Sequence, residues 1–361
     1  MPINTYRIAL AGLGNVGASM LSILAKETDS LRQRYGINFL VTGVAELGGG
    51  AIDDNGLDLK LLLSTLKNKG LVADLPNIGR PGMQSKELLD LAKPDFFLEA
   101  TPVNLKTGEP GLSCVRTALN KGIHTILANK GPAALAFKEL AELSDIGLGW
   151  GRNYGKLETV DHDLPKLRFS ACVAGSLPSI NLGSRDLAGT QILKLEAVFN
   201  GTTQYIIRAM ESGQSYDEAL ADAQRRGIAE TDPSLDVDGW DAAAKLVIAV
   251  NSVLGVNAEL KDVNVQGIRS LTYEAIQQAT EKSLRLVPIA SAELIDGQYK
   301  LLVMPVALAL DHPLARLTPD EMGVAFYTRD VDCLSAASLE PGPEPAAAAM
   351  LRDMLDIIRH S

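Results

Sequence analysis

A glycine-rich loop near the N-terminus places the strongest constraint on how this chain folds. The loop, GLGNVG at residues 12–17, follows a short apolar strand at residues 6–11 and leads into helical spacing at residues 17–26. In such a unit the first glycine permits a tight turn, the second lets a pyrophosphate approach the backbone, and the third lets helix and strand pack closely. The pattern predicts a dinucleotide site formed by Gly12, Leu13, Gly14, Asn15, Val16 and Gly17; the alternative is a glycine turn without a ligand.

Strand-like and helix-like segments alternate after this loop. Further apolar strands are predicted at residues 39–45, 96–98 and 123–127, with helical stretches between them. This βαβ rhythm is typical of an α/β fold with a Rossmann-type, doubly wound parallel sheet.

The second half of the chain has a different pattern. Residues 147–166 are rich in glycine and polar side chains, which indicates an irregular crossing between domains or a loop over a site. Strand-like runs follow at residues 167–175, 193–201 and 300–310, a capping box starts a helix at Ser215, and an alanine-rich helix spans residues 344–359. The predicted division is 1–150 for the dinucleotide domain, 151–335 for a second mixed α/β domain and 336–361 for a C-terminal helix.

Length and composition exclude several functional classes. The 361 residues are too many for one small core, and the net charge of -10 disfavours nucleic acids and anionic membranes, which require a basic surface. No segment has the length of a membrane span, and no signal peptide is evident. The odd number of cysteines (Cys114, Cys172 and Cys333) predicts buried thiols in a reducing compartment, hence a cytoplasmic protein.

Residues at strand ends predict how a cofactor would be held. Glu46 ends the second strand, where a carboxylate can accept hydrogen bonds from ribose hydroxyls and repel a 2′-phosphate. This favours NAD over NADP, although Lys60 could reach a 2′-phosphate, and Glu46 could instead be a solvated strand end. Thr101, Pro102 and Lys130 follow later strands, where a nicotinamide or substrate binds in open α/β sheets. A surface lysine is the equal alternative for Lys130.

An acid-rich segment, ETDPSLDVDGWDAAAKL at residues 230–246, carries the other chemistry. Asp241 and Lys245 are four residues apart on a predicted helix that continues into apolar LVIAV, and Asp238 is its predicted N-cap. Burial favours a neutral lysine and Asp241 favours the ammonium, so Lys245 could exchange a proton near neutral pH. The remaining carboxylates could hold a substrate ammonium. An ordinary ion pair at a helix start is the alternative.

The segment from Ala223 to Lys245 resembles the homoserine dehydrogenase signature at every fixed position. NGTTQYII at residues 200–207, ANK at residues 128–130 and the glycine loop also resemble that family, in the same order. The resemblance implies NAD(P)-dependent interconversion of L-homoserine and L-aspartate 4-semialdehyde, which serves threonine, methionine and isoleucine biosynthesis. It also implies a Rossmann domain with a returning C-terminal helix, and a mixed α/β domain that binds substrate and forms a homodimer.

The same resemblance assigns roles to individual residues. It implies that Lys245 is the acid/base lysine with Asp241 beside it, and that Lys130 is a second active-site lysine near the nicotinamide and substrate. It places Glu230 and Asp236 at the substrate's amino end, whereas Asp232 shapes a turn with Pro233. The expected pocket residues are Gly227, Asn200 and Thr202, and Gly342 is expected beside the nicotinamide.

Three departures from the family pattern affect these expectations. SACVAGSLP at residues 170–178 has Ser170 in place of a glutamate associated with a monovalent cation, so no strong metal site is expected. The C-terminal glycine loop is reduced to Gly342 within SLEPGPEP. The chain ends at Ser361, so no appended regulatory domain is expected. The alternative functions are a same-fold oxidoreductase for another small hydroxy or amino acid, and a non-catalytic NAD-binding protein.

Overall fold

The computed structural model describes residues 3–146 and 164–360. The crossing predicted at residues 147–166 lies outside the described residues except for its last three. The chain forms two compact units: the described part of the first comprises residues 3–146, 164–175 and 342–360, and that of the second comprises residues 176–341. No described helix is long and apolar enough to cross a membrane.

The first unit is built on a seven-stranded sheet. Its strands are β1 (Asn4–Ala11), β2 (Ile37–Glu46), β3 (Gly49–Ile52), β4 (Gly79–Pro81), β5 (Phe96–Glu99), β6 (His124–Leu127) and β7 (Leu167–Arg168). The spatial order is β4-β3-β2-β1-β5-β6-β7, and neighbours are parallel from β2 to β7. The predicted parallel α/β sheet is confirmed, but β3 and β4 add an antiparallel edge that the sequence pattern did not predict.

Glycines explain this additional edge. Glu46 pairs with Gly49 across a tight turn in which Gly48 and Gly49 have φ of 103° and 146°, values that residues with side chains rarely adopt. The LGGG segment therefore folds back as a hairpin and does not lead directly into a helix.

The order of the central strands positions the site. From β1 the chain enters β2 on one side of β1 and later reaches β5 on the other, so the strand order reverses between β1 and β5. Ligands of open α/β sheets bind outside the carboxyl ends of the strands at such a switch point. The segments that follow β1, β5 and β6 lie at this edge.

Helices complete the first unit. They are α1 (Asn15–Tyr35), α2 (Leu59–Lys67), α3 (Ser85–Ala92), α4 (Gly111–Asn120), α5 (Lys130–Glu142) and α12 (Glu344–Arg359). The last of these confirms the predicted C-terminal helix. It packs on α1 in a core that includes Met20, Leu24, Met350 and Met354.

The strand predicted at residues 167–175 is wrong beyond β7. Ser170 starts a 3₁₀ turn, and its N–H donates to the Asp353 carboxylate on α12 at 2.9 Å. Ala174 has φ of 61°, which a strand cannot accommodate. The Ser170 N–H therefore bonds to α12, and the N–H groups of Cys172 and Val173 bond to carbonyls within the turn, so none of the three pairs with a neighbouring strand.

The second unit contains a mixed six-stranded sheet. Its strands are β8 (Ile192–Val198), β9 (Val263–Val265), β10 (Leu284–Ile295), β11 (Gln298–Ala309), β12 (Glu321–Thr328) and β13 (Cys333–Leu339). The order is β13-β12-β8-β10-β11-β9, with only the β9–β11 pair parallel among these neighbours. The predicted boundary at residue 335 falls within β13. Cys333 is exposed on this edge strand, which corrects the expectation of three buried thiols; Cys114 and Cys172 are buried.

The described part of the second unit also contains α-helices. They are α6 (Ser179–Asn181), α7 (Gly201–Glu211), α8 (Tyr216–Arg225), α9 (Ser234–Val237), α10 (Trp240–Val253) and α11 (Tyr273–Glu281). The Ser215 capping box forms as predicted, since its hydroxyl accepts from Glu218 N while the Glu218 carboxylate accepts from Ser215 N. The apolar LVIAV run is buried within α10.

Candidate active site

The glycine loop lies at the switch point of the first unit. Gly12 follows β1 with φ of 94°, and a Cβ there would stand 2.2 Å from the Ala100 carbonyl oxygen and 2.6 Å from Thr101 N. A Cβ at Gly17 in α1 would stand 1.9 Å from the Gly12 carbonyl oxygen. Both glycines are required because backbone segments approach closely, which ties the loop to the end of β5 and to α1.

Gly14 is not required by packing. Its φ is -70°, and a Cβ there would meet no protein atom within 4 Å. It precedes the first turn of α1, which has neither an acidic residue nor a side-chain cap. Free N–H groups at a helix N-terminus attract phosphate, so the open space fits a pyrophosphate that must approach the backbone. Of the other loop residues, Leu13 is buried, Val16 half-buried and Asn15 exposed.

Glu46 occupies the carboxyl end of β2, where the cofactor ribose was predicted. It is half-buried, and its Oε1 accepts a hydrogen bond from Val72 N at 2.7 Å. This bond holds the carboxylate at the strand end. Its contact with a ribose stays a prediction.

Hydrogen bonds join the ends of β5 and β6. Thr101 donates from both N and Oγ1 to Oε1 of buried Glu99. Asn129 Nδ2 donates to Thr101 Oγ1 at 3.2 Å, and Asn129 Oδ1 accepts from Gly131 N at 2.9 Å, which caps α5. This helix begins at Lys130, so the predicted lysine sits at a fixed helix start.

A buried ion pair forms in the second unit, where the spacing predicted it. Lys245 Nζ lies 2.8 Å from Asp241 Oδ2 and donates to the Phe199 carbonyl oxygen at 2.6 Å. The side chains of Lys245 and Asp241 are only 14% and 8% exposed. They are four positions apart in α10, so they share one face of the helix. The ammonium is thereby aimed by one carboxylate and one carbonyl.

Asn200 links this pair to a second carboxylate. Its Nδ2 donates to Asp236 Oδ1 at 2.7 Å and to Asp241 Oδ2 at 2.8 Å, while its Oδ1 accepts from Thr203 N and caps α7. Burial, followed by the charge of Asp241, raises the pKa of Asp236. A substrate ammonium beside these carboxylates would stabilise their ionised forms.

The remaining predicted substrate residues differ in burial. Thr202 is buried and its hydroxyl donates to the Ile228 carbonyl at 3.1 Å. The same hydroxyl is close enough to Asp236 to oppose the rise in the pKa of that carboxyl. Gly227 is exposed with φ of 72°. Glu230 is also exposed, and its backbone carbonyl accepts from a neighbouring glutamine. The structure therefore gathers Asn200 and Thr202 around Asp236 and leaves the Glu230 side chain open to solvent.

The prediction that Asp238 caps α10 is wrong. Gly239 occupies the N-cap with φ of 88°, while Asp238 ends α9 and pairs with Arg269. The left-handed glycine turns the chain between the two helices, which directs Asp238 away from α10. Asp232 does shape its turn, since it accepts from Ser234 N at 3.1 Å and from Ser234 Oγ at 2.6 Å.

Ser170 and Gly342, which belong to the two segments that depart from the family pattern, lie in the first unit. Ser170 is bonded to Asp353, and burial raises the pKa of that carboxyl to about 6. Gly342 precedes α12 with φ of 87°. Within the described ranges, no three His, Cys, Asp or Glu side chains form a cluster that could hold a metal ion.

Three chemical groups of the candidate site were not identified from the sequence pattern. They are the Glu99 carboxyl, the Asn129 amide and the Phe199 carbonyl. A charged residue at the end of the apolar strand FFLE was a usable signal for Glu99. Asn129 stood next to the predicted lysine. A backbone carbonyl gives no signal in a sequence.

Comparisons with known proteins identify the family of the chain. A family model for homoserine dehydrogenase matches residues 178–355. The homoserine dehydrogenase of Methanocaldococcus jannaschii is 34% identical over 97% of this chain and 98% of its own length. The NAD(+)-dependent homoserine dehydrogenase of Pseudomonas canavaninivorans is 30% identical over 98% of this chain and 96% of its own. A crystal structure of a putative homoserine dehydrogenase from Archaeoglobus fulgidus superposes with a TM-score of 0.82 at 30% identity, covering 98% of this chain and 99% of that one. The chain therefore belongs to the homoserine dehydrogenase family.

Proposed function

We propose that this protein is an NAD(P)-dependent homoserine dehydrogenase that interconverts L-homoserine and L-aspartate 4-semialdehyde. The buried Lys245–Asp241–Asn200–Asp236 cluster carries the proposal. Its lysine and two carboxylates lie within the segment that resembles the family signature, and Asn200 begins the NGTTQYII segment that also resembles the family. The Pseudomonas canavaninivorans relative is NAD(+)-dependent by its name, which supports a nicotinamide cofactor here.

The first unit provides groups that fit NAD or NADP. Gly14 and the first turn of α1 would hold the pyrophosphate, and Glu46 would hold the adenosine ribose, which favours NAD. The remaining proposed contacts are Thr101, Pro102, Lys130 and Gly342, on the nicotinamide side. When bound, the cofactor supplies or accepts the hydride.

The second unit provides groups for binding and proton transfer. Asp236 and Glu230 hold the ammonium of homoserine, while Thr202 and Gly227 shape the pocket. In the oxidation direction, neutral Lys245 takes the hydroxyl proton as the carbon gives up a hydride and becomes a carbonyl. In reduction Lys245 returns that proton to the new alkoxide oxygen. Asp241 stabilises the ammonium form, and the Phe199 carbonyl orients Nζ.

We further propose a cytoplasmic homodimer that works in amino-acid biosynthesis, without nucleic acid or membrane as a partner. The net charge of -10 supports the second part. Light scattering coupled to gel filtration should give twice the chain mass, and a monomer at all concentrations would contradict the dimer.

The activity is tested with L-homoserine and either NAD or NADP, by the absorbance of the reduced nicotinamide. A panel of other small hydroxy acids and semialdehydes separates homoserine from other substrates. Turnover of another compound with little activity on homoserine would replace the substrate assignment. Cofactor binding without any turnover would replace the enzymatic one.

A further inference from the structure

Glu99 is a buried carboxyl group with no role in the proposed proton transfer. It is the last residue of β5 and has no solvent exposure. Burial raises the pKa of Glu99 to about 7, although the neighbouring side chains of Thr101 and Asn129 favour the carboxylate. Burying an ionisable group is costly unless its partners compensate, so its contacts indicate what it holds in place.

The contacts form a directional chain. Glu99 Oε1 accepts from both N and Oγ1 of Thr101. Because that hydroxyl hydrogen is committed to Glu99, Thr101 Oγ1 acts as acceptor for Asn129 Nδ2 at 3.2 Å. Asn129 then accepts from Gly131 N at 2.9 Å and fixes the first turn of α5. Glu99 is the terminal acceptor of this series.

The same chain reaches the glycine loop. The Ala100 carbonyl and Thr101 N lie so close to Gly12 that a Cβ there would stand 2.2 Å and 2.6 Å from them. A displacement of Thr101 therefore also displaces the turn that precedes α1. Through Thr101, Glu99 is therefore linked to the glycine loop and to the start of α5, the two segments on which the proposed cofactor site depends.

Helix α4 leaves room for this arrangement. A Cβ at Gly111 would stand 2.7 Å from Asn129 Nδ2 and 3.0 Å from Glu99 Oε2. The titratable group that faces Glu99 from α4 is the Cys114 thiol, whose pKa burial and then the charge of Glu99 raise to about 11. A neutral thiol adds no charge to the cluster.

We propose that Glu99 is a positioning residue for the cofactor side of the site, which holds Thr101 against the glycine loop and, through Asn129, fixes the start of α5 at Lys130. The proposal rests on the proposed function, since it concerns the same cofactor. It requires an acceptor oxygen at this place and no chemical step by Glu99 itself.

The experiment compares Glu99→Met, which removes the acceptor, with Glu99→Gln, which keeps it. NADH binding is measured by calorimetry, and hydrogen exchange is followed in peptides that cover the first turn of α5. Glu99→Met should weaken NADH binding roughly tenfold or more and speed exchange at the start of α5, because two hydrogen bonds to a buried acceptor are lost. Glu99→Gln should restore both. The control is Glu139→Gln on α5, which removes a surface carboxylate paired with Arg116 and should behave like the parent.

A folded Glu99→Met protein with parental NADH affinity and parental exchange would overturn the proposal. If Glu99→Met does not fold, Thr101→Val breaks the same chain while leaving Glu99, and it must still speed exchange in α5; unchanged exchange overturns the proposal. Neither readout needs homoserine turnover. A parent that binds NADH but does not oxidise homoserine would therefore refute the proposed function and leave this test intact.

Discussion

Replacing Lys245 with methionine removes the ammonium of the proposed catalytic lysine and keeps its aliphatic stem. General acid–base catalysis contributes about 10²–10⁴ in rate, so kcat should fall roughly a hundredfold or more. NADH affinity should stay within about twofold, because Lys245 is not among the proposed cofactor contacts. Stopped-flow measurement of NADH formation, together with calorimetric binding, separates the two effects.

The same change should destabilise the fold. Lys245 Nζ lies 2.8 Å from Asp241 Oδ2 and 2.6 Å from the Phe199 carbonyl oxygen. The side chains of Lys245 and Asp241 are 14% and 8% exposed. Removing one partner of such a buried ion pair lowers the free energy of unfolding by about 3–5 kcal/mol. Protonation of Asp241 would offset part of this loss, so we expect a decrease of about 3 kcal/mol in urea unfolding. Lys245→Arg is the matched control, since it keeps the positive charge but does not release a proton at neutral pH. Arginine should recover stability without activity. A Lys245→Met enzyme within about threefold of the parental kcat would refute the assigned role.

Three further changes test separate parts of the structure. Gly14→Ala should weaken NADH binding at least tenfold and change the free energy of unfolding by less than about 0.5 kcal/mol. Gly17→Ala should lower the free energy of unfolding by about 1–3 kcal/mol, because its Cβ overlaps the Gly12 carbonyl. Equal effects of the two variants on stability would contradict the role given to Gly14. Asn200→Ala should lower the free energy of unfolding by about 3 kcal/mol, because it removes a helix cap and the donor shared by two buried carboxylates. The control Ser215→Ala removes only a helix cap and should lower it by about 1 kcal/mol. Asp353→Asn tests the linkage between protonation and stability. Burial raises the pKa of the Asp353 carboxyl in the folded protein to about 6 from its ordinary value of 3.8. The protonated carboxyl therefore stabilises the fold most below pH 3.8, and roughly 3 kcal/mol of that stabilisation is lost as pH rises from there through 6. In urea unfolding, the free energy of unfolding of the parent should fall by that amount relative to Asp353→Asn between these pH values. Parallel curves of stability against pH for the two proteins would contradict this expectation.

Features with strong local signals were predictable from the sequence. The GLGNVG loop, the four-residue spacing of Asp241 and Lys245, and the capping box at Ser215 depend on residues close together in the chain. Glycine conformations and helix periodicity act at that range, so the structure contains each feature where it was expected.

Features that depend on distant partners were not predictable. Asn200 bridges Asp236 and Asp241 from another helix, and Asn129 after β6 donates to Thr101 after β5. The strand expected after Arg168 failed because Asp353, far along the chain, binds the backbone of Ser170. In each case the deciding hydrogen bond joins residues far apart in the sequence, so a local pattern does not reveal it.

The most direct test of the central claim is oxidation of L-homoserine by the purified protein with NAD or NADP, followed through the absorbance of the reduced nicotinamide. We predict turnover with at least one cofactor, more readily with NAD because of Glu46, and nearly complete loss in Lys245→Met. No turnover with either cofactor from neutral to alkaline pH, in protein that binds NADH, would contradict the claim.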